Sequence, residues 1–292
     1  KLFHARDELE AKGCVLDGNV FRNQDQVYLP LYEAKMATLL DHRSSRVIRS
    51  ATAAIRQAQP EYLSESEHEE PGVLAIPLYW VNEINVKKST PPVWTKSWYA
   101  GWRRVSSTTN ERTFLQTIFP LAGFGDSIFL MYFNIDLDGY NGILASLASF
   151  VFDYTARQKM GGVNLSFYIT AQLPVLPCQT MVSFIDYINP RMLELVFTSW
   201  DMVHYANDLG FAGKPFQWKE ERRAILKSEL DALFFHAYLP SCVDGSWQRM
   251  DRETEDQFRL LQELFPTPRH AVGYIMETFS IVKRRDEKEY GY

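Results

Sequence analysis

The sequence predicts an α+β fold, with a mixed-strand domain carrying one long helix over residues 1–183 and a mainly α-helical unit over 184–292. Three observations predict it. Runs rich in Val, Ile, Tyr, Trp and Phe alternate with turn residues through the first half, the pattern of short strands. From Phe184 the pattern changes to helical stretches divided near Gly210, Pro215, Pro240 and Pro266 to Pro268. The 292 residues exceed the roughly 250 at which a single core stops growing. With 46% apolar and 23% charged residues, the composition is that of a globular chain, not a disordered one.

Taken in order, Gly18-Asn19 separates two extended runs and predicts a hairpin. Val27-Tyr28-Leu29-Pro30-Leu31-Tyr32 predicts a strand leading into a helix from Glu33 to about Leu40. The segment Glu61 to Gly72 holds five acids and no Lys or Arg, so it predicts an exposed acidic loop. Val73 to Val86 is rich in strand formers, and residues 93–119 predict strand, loop, strand. The loop is the polar run Ser106-Ser107-Thr108-Thr109-Asn110, with Arg103-Arg104 before it and Arg112 after it. Ile128 to Phe133 predicts another strand. Tyr140 to about Lys159 predicts a helix, with Ile143, Leu144, Leu147, Phe150, Val151 and Tyr154 on its apolar face and Gly161-Gly162 at its end.

Charge narrows the function classes. Lys plus Arg total 31 against 36 Asp plus Glu, a net of −5, which excludes a uniformly basic DNA-coating protein and a polybasic membrane anchor. By segment the balance differs: residues 76–120 carry six bases and two acids, whereas 201–292 carry thirteen bases and sixteen acids. A narrow basic face thus survives the acidic average. Cys14, Cys178 and Cys242 are odd in number and far apart, which predicts structural thiols in a reducing cytoplasm and no disulfide framework. The best apolar run, Ile143 to Phe152, falls short of the roughly 18 to 20 residues of a bilayer span, and no signal peptide is visible. The chain opens Lys1-Leu2-Phe3-His4 without a methionine, as expected of a piece of a longer polypeptide.

Motifs for chemistry are few. Leu121-Ala122-Gly123-Phe124-Gly125 has the glycines of an S-adenosylmethionine turn, but the residues after it predict a strand where that site needs a helix. Asn189-Pro190-Arg191-Met192 lacks the second proline and the ring of an adenine cradle. Asn134, Asp136, Asp138 and Gly139 match the start of a calcium loop, yet Ala145 stands where a bidentate glutamate is needed, so a hairpin or a helix-entry turn is expected. The histidines and cysteines show no short zinc spacing. Glu33-Ala34-Lys35 has the acid-x-lysine spacing of a metal-dependent nuclease, with Asp17 or Asp25 as a distant acid. Arg103, Arg104, Arg112, Arg157, Gln158, Lys159 and Asn164 supply what duplex reading uses: Arg and Lys for phosphates or guanine, Gln and Asn for adenine. Solvated or ion-paired surface residues are the alternative account of the same set.

Several longer strings carry a resemblance. They are Leu29-Pro30-Leu31-Tyr32-Glu33-Ala34-Lys35-Met36 with Asp41-His42-Arg43, then Thr108-Thr109-Asn110-Glu111-Arg112-Thr113, and Phe150-Val151-Phe152-Asp153-Tyr154 running on through Ala156-Arg157-Gln158-Lys159. The last continues through Gly161-Gly162 and Asn164-Leu165-Ser166-Phe167 to Gln172-Leu173-Pro174-Val175-Leu176-Pro177, and Ile275 to Phe279 with Lys283-Arg284-Arg285-Asp286-Glu287 and Tyr290-Gly291 adds to it. Over most of its length the chain resembles the C-terminal region of single-chain, type IIG-like type II restriction-modification enzymes and related phage-defence adenine DNA methyltransferases. Two departures are Ala34, where the family usually has glycine, and Ala148, where it usually has asparagine.

The resemblance implies a target-recognition domain over residues 1–183 and a helical extension after it. It implies double-stranded DNA as partner, with a methyltransferase core upstream in the same polypeptide that holds S-adenosylmethionine and flips the adenine; no cofactor is expected in this fragment. In that picture Arg103, Arg104, Arg112, Arg157 and Lys159 contact phosphates or guanines, Gln158 and Asn164 read bases, and the helical unit braces the recognition domain against the core or a partner, with Lys283-Arg284-Arg285 near phosphate. Under it, Glu33 and Lys35 are not nuclease residues. The competing expectations are a nuclease module using Glu33 and Lys35, and a protein-interaction module of a defence complex.

Overall fold

In a computed structural model of the chain, residues 1–50, 58–239, 245–249 and 254–291 are described below. The fold is α+β, and its first half is built of short strands. The strands are β1 (Phe3–Ala5), β2 (Val15–Asp17), β3 (Val20–Arg22), β4 (Val27–Tyr32), β5 (Ser45–Arg49), β6 (Ala58–Tyr62), β7 (Tyr79–Asn82), β8 (Trp98–Arg103), β9 (Gln116–Pro120), β10 (Gly123–Phe124) and β11 (Ile128–Met131). The helices of this half are α1 (Arg6–Ala11), α2 (Glu65–Glu69), α3 (Glu83–Ser89), α4 (Leu137–Leu147), α5 (Phe150–Lys159), α6 (Phe167–Thr170) and α7 (Cys178–Val182). Then follow α8 (Ile185–Val196), α9 (Val203–Asp208), α10 (Glu220–Tyr238), α11 (Glu255–Leu264), α12 (Pro268–Glu277) and α13 (Ser280–Tyr290).

Gly18 makes the expected β2–β3 hairpin, because the turn needs its φ of 61° and glycine adopts that at little cost. One sheet runs β1-β7-β4-β3-β2, with β10 added in parallel to the end of β4. A second, antiparallel sheet runs β11-β8-β9, and β5 and β6 pair as a separate ribbon. Within β8, Trp98, Ala100 and Trp102 point to the helices and join the largest core, while Tyr99 belongs to the opposite side. Gly101 lies where a Cβ would stand 2.5 Å from the Phe129 carbonyl oxygen, so the close approach of β11 needs glycine there.

Four expectations are corrected. The helix expected from Glu33 to Leu40 is a single 3-10 turn, Ala34–Met36. Tertiary bonds replace its ladder: the Ala34 N–H donates to Ser127 Oγ, the Leu40 N–H to the Gln116 carbonyl, and Leu40 itself has φ 54°. The acidic segment 61–72 is mostly exposed, as expected, but it is not a loop, since β6 ends and α2 forms within it. Ser64 caps α2 in a reciprocal bond with Glu67, Arg46 pairs with Glu61 and Glu67, and His68 is buried.

Third, the strand expected over Val73 to Val86 is confined to β7, since the Asn82 side chain accepts the Ile84 N–H and starts α3. Fourth, the long helix over Tyr140 to Lys159 is two helices. Ser149 accepts the Phe152 N–H and begins α5 as a new helix, which ends at an extended Met160 before two glycines that are not left-handed.

The boundary near residue 184 does not interrupt packing. The largest core joins Trp98, Trp102, Leu144 and Phe152 with Ile188, Leu195, Tyr205, Leu226 and Phe234. Polar links cross as well: Tyr205 donates to Asn141, and the Trp98 indole donates to Asp208.

Candidate nucleic-acid interface

The seven candidate residues separate into two groups. Arg112 and Arg157 face inward, which corrects their expected contact with DNA. The Arg112 side chain is 8% exposed, lies 3.3 Å over the Phe150 ring and donates to Asp231 at 2.9 Å. Asp231 in turn accepts the Phe150 N–H at the start of α5, and burial pushes its carboxyl above the ordinary value despite Arg112. Arg157 pairs with Asp153 at 3.0 Å and donates to the carbonyls of Thr108, Asn110, Glu111 and Thr278, with its guanidinium 4.1 Å from the Phe279 ring centre. Asp153 takes the N–H groups of Thr113 and Phe114. The two arginines therefore fix the polar loop 106–111 against α5 and the last helices.

The other five are displayed by that scaffold. Gln158 and Lys159 are exposed at the end of α5, and Asn164 is exposed in the segment that follows. That segment runs beside the end of β8: Val105 pairs with Asn164, the Ser106 N–H donates to Val163 and the Leu165 N–H to Arg104. Arg104 is half-buried and pairs at 3.2 Å with the well-exposed Asp126. Arg103 differs from all of these. Its guanidinium makes no hydrogen bond or ion pair among the described residues, its Nε is buried without a partner, and burial draws its pKa below the ordinary value, opposed by the nearby Tyr62. A half-buried cation with no anion among the described residues has donors free for an outside acceptor.

The sequence holds a further signal at this end. Residues 84–110 contain no Asp or Glu and five Lys or Arg, and residues 154–185 again contain no acid and two bases. The Val105–Asn164 pairing brings these two acid-free stretches together. The second also exposes Val163, Phe167 and Tyr168, none of which charge counting selects. The remaining basic cluster is engaged: Lys283 pairs with Glu277 and Arg285 with Glu111.

The competing sites resolve into structural contacts. Glu33 and Lys35 meet at 2.9 Å, Lys35 also donates to the Ala58 carbonyl, and Asp17 pairs with Arg22. Among the described residues no group of three or more His, Cys, Asp or Glu could hold a metal ion. Asp136 caps α4 by accepting the Gly139 N–H, and Asp138 accepts from Asn189. Gly123 of the glycine turn lies in β10, and the chain continues into β11, not into a helix that faces a ligand. Cys14 and Cys178 are free thiols, and Cys242 lies outside the described residues. No helix among the described residues is long and apolar enough to cross a membrane.

A buried polar cluster was not selected from the sequence as a site. Arg43, 0% exposed, donates to the carbonyls of His68, Glu70, Val73 and Thr198. Beside it His42 meets Asp201 at 3.1 Å and Ser199 at 3.2 Å, and His68 meets Asp41 at 3.3 Å. The composition is that of a hydrolytic triad, but the geometry is not. Ser199 and Asp201 both address the same ring nitrogen, Nε2, and Ser199 is fully buried, so no substrate carbonyl can reach its hydroxyl. Burial raises the Asp201 and Asp41 carboxyls, but His42, Ser199 and Arg43 together on Asp201, and His68, Arg223 and His42 together on Asp41, outweigh it, and both stay below the ordinary range. The cluster binds residues 41–43 and the acidic segment to the start of α9.

The chain matches no family model, no curated protein and no solved structure.

Proposed function

We propose that this chain is the sequence-recognition part of an adenine-N6 DNA methyltransferase of a restriction-modification or phage-defence system, and that it grips duplex DNA for a catalytic core in the same polypeptide. The observation that carries the DNA reading is the Val105–Asn164 pairing of two acid-free stretches, which gathers Arg104, Gln158, Lys159 and Asn164, with Arg103, unpaired among the described residues, at the adjoining end of β8. A polyanion approaching there meets cations and amides, and the carboxylates at this end, Asp126 and Glu111, are each paired with an arginine. Arg103, Arg104 and Lys159 serve phosphates or guanines, and Gln158 and Asn164 serve base edges. The resemblance stated above supplies the adenine methyltransferase part, with S-adenosylmethionine held in the upstream core.

The helical extension fits the role of a brace. Helix α11 has no buried residue and exposes Leu260 and Leu264, with Tyr274 exposed on α12, an apolar surface suited to the methyltransferase core. The test of the DNA reading is binding of the chain to random duplexes of about 30 base pairs at roughly 50 and 200 mM salt. Tight, salt-sensitive binding that drops on Arg103→Ala is expected. Absence of binding at the lower salt, or indifference to Arg103→Ala, overturns it.

A further inference from the structure

A ladder of aromatic rings leads from the core to this surface. Phe152 meets Phe114 edge-on at 5.0 Å, Phe114 stacks on Trp102 at 5.9 Å, and Trp102 meets Phe129 and Phe167 at 5.5 Å each. Phe167 then stacks on Phe129 at 4.1 Å. Phe167 is thus held from behind and below, yet 56% of it remains exposed. The next residue, Tyr168, is 79% exposed, and among the described residues its side chain makes no ring contact or hydrogen bond. Water-exposed aromatic area of this size on a rigid mount is unfavourable in the isolated chain, by roughly 25 cal/mol per Å² of apolar surface.

We infer that the Phe167–Tyr168 step is a base-stacking element: on bound duplex DNA the Tyr168 ring inserts against a nucleobase at a base step, with Phe167 as its support. The inference rests on the DNA reading above and extends it from phosphate and base-edge contacts to stacking. Charge favours a nucleobase over a protein surface as the occupant. The step lies inside the acid-free stretch 154–185, four residues after Asn164, and Leu165 is bonded to the Arg104 carbonyl. A ring presented among Lys159, Gln158, Asn164 and Arg104 reaches the bases on the same duplex whose backbone those residues hold.

Stacking and phosphate contact leave different salt signatures, because only a phosphate contact releases a counterion. The test therefore uses the whole chain, the same random duplex pool and both salt concentrations, with Tyr168→Ala, Tyr168→Phe and Lys159→Ala. Tyr168→Ala is expected to bind about ten-fold more weakly at both salts with an unchanged salt slope, and Tyr168→Phe to restore binding. Lys159→Ala is expected to flatten the slope by about one. With dyes on the two duplex ends, insertion by the parent chain and Tyr168→Phe brings the ends closer, as a kink of about 20–90° requires, whereas Tyr168→Ala does not. Wild-type affinity and bending by Tyr168→Ala overturn the stacking role and leave the DNA reading standing; so does a slope change equal to that of Lys159→Ala. Failure of the parent chain to bind DNA overturns both and assigns the exposed step to a protein surface.

Discussion

Arg43, Arg112 and Arg157 on one side, and Arg103, Arg104 and Lys159 on the other, are the same chemistry put to opposite uses. The first three direct guanidinium donors at carbonyls and carboxylates of their own chain. The second three sit at the end of β8 and α5, where one has an exposed carboxylate, one has solvent and Arg103 has no anion among the described residues. What separates them is the position of acceptors in space. A guanidinium near buried carbonyls becomes a fastener, and one in an acid-free stretch away from them stays available to an outside anion.

The largest effect expected from breaking this contrast is at Arg43. Arg43→Met leaves four carbonyls without their donor, each worth about 1 kcal/mol or more when buried and unpaired, so urea denaturation should report a loss of roughly 3 kcal/mol or more. A loss under about 1 kcal/mol would show that the cluster does not hold the fold.

Arg112 gives a sharper test, since it lies next to the candidate surface yet faces inward. Arg112→Met alone strands Asp231 in the core and is expected to cost about 3 kcal/mol. The double variant Arg112→Met, Asp231→Leu removes both charges and should recover most of that stability while retaining the parent's DNA affinity and salt slope. Recovered stability with lost DNA binding would move Arg112 back into the interface.

The same buried cluster sets a pH dependence. Asp41 and Asp201 are held below the ordinary carboxyl value of 3.8, so they bind fewer protons folded than unfolded. Their contribution is complete above that value and is lost as pH falls through the lower folded values. Asp231 is shifted the other way and works against this loss at low pH. Denaturation followed from pH 6 down to about 3 should show falling stability, and Asp201→Asn should flatten the fall. A curve as steep in Asp201→Asn as in the parent would place the acid sensitivity elsewhere.

The sequence made part of this legible. The α+β class, the β2–β3 hairpin and the strands on both sides of the 106–110 loop follow from local pattern, because turn glycines and alternating apolar residues act over a few positions. The 3-10 turn at Ala34–Met36 and the break at Ser149 do not, since distant partners decide them: Ser127 and Gln116 for the first, and for the second Asp231, which takes the N–H of Phe150 beside the cap. Composition misjudged the acidic segment for a similar reason. The arginine that neutralises Glu61 and Glu67 is Arg46, and the one that anchors the backbone is Arg43, both well upstream. Among the candidate residues, Gln158, Lys159 and Asn164 lie exposed. Arg112 and Arg157 were not separable from Arg103 by type alone, because burial is a property of the folded neighbourhood. A search for acid-free stretches would have drawn Phe167 and Tyr168 into the same region.

Arg103→Ala should change stability little, by about 0.5–1 kcal/mol, since no partner among the described residues is lost. Its expected effect is on DNA: weaker binding by about 1–3 kcal/mol if it forks onto guanine, with altered preference among sequences, or a flatter salt slope if it holds phosphate. Sequencing the duplexes retained from a random pool distinguishes the two, and an unchanged pool with an unchanged slope removes Arg103 from the interface.

The smallest expected change is at Lys159, and it tests the contrast most directly. The side chain is exposed in the last turn of α5, where a cation is favoured by the helix dipole, and its removal should cost no more than about 0.5 kcal/mol of stability. Its neighbour two residues earlier, Arg157, is embedded among four carbonyls, so Arg157→Ala should lower stability by several times as much. At moderate salt Lys159→Ala should weaken duplex binding only two- to three-fold, but the log–log dependence on salt should flatten by about one counterion. The ordering is therefore opposite in the two measurements: Arg157 dominates the denaturation midpoint and Lys159 the salt slope once loss of folded protein is corrected for. Equal ranking in both would mean that the end of α5 is not divided into an inward fastener and an outward contact, and the distinction between the two sets of cations would collapse where they lie closest in sequence.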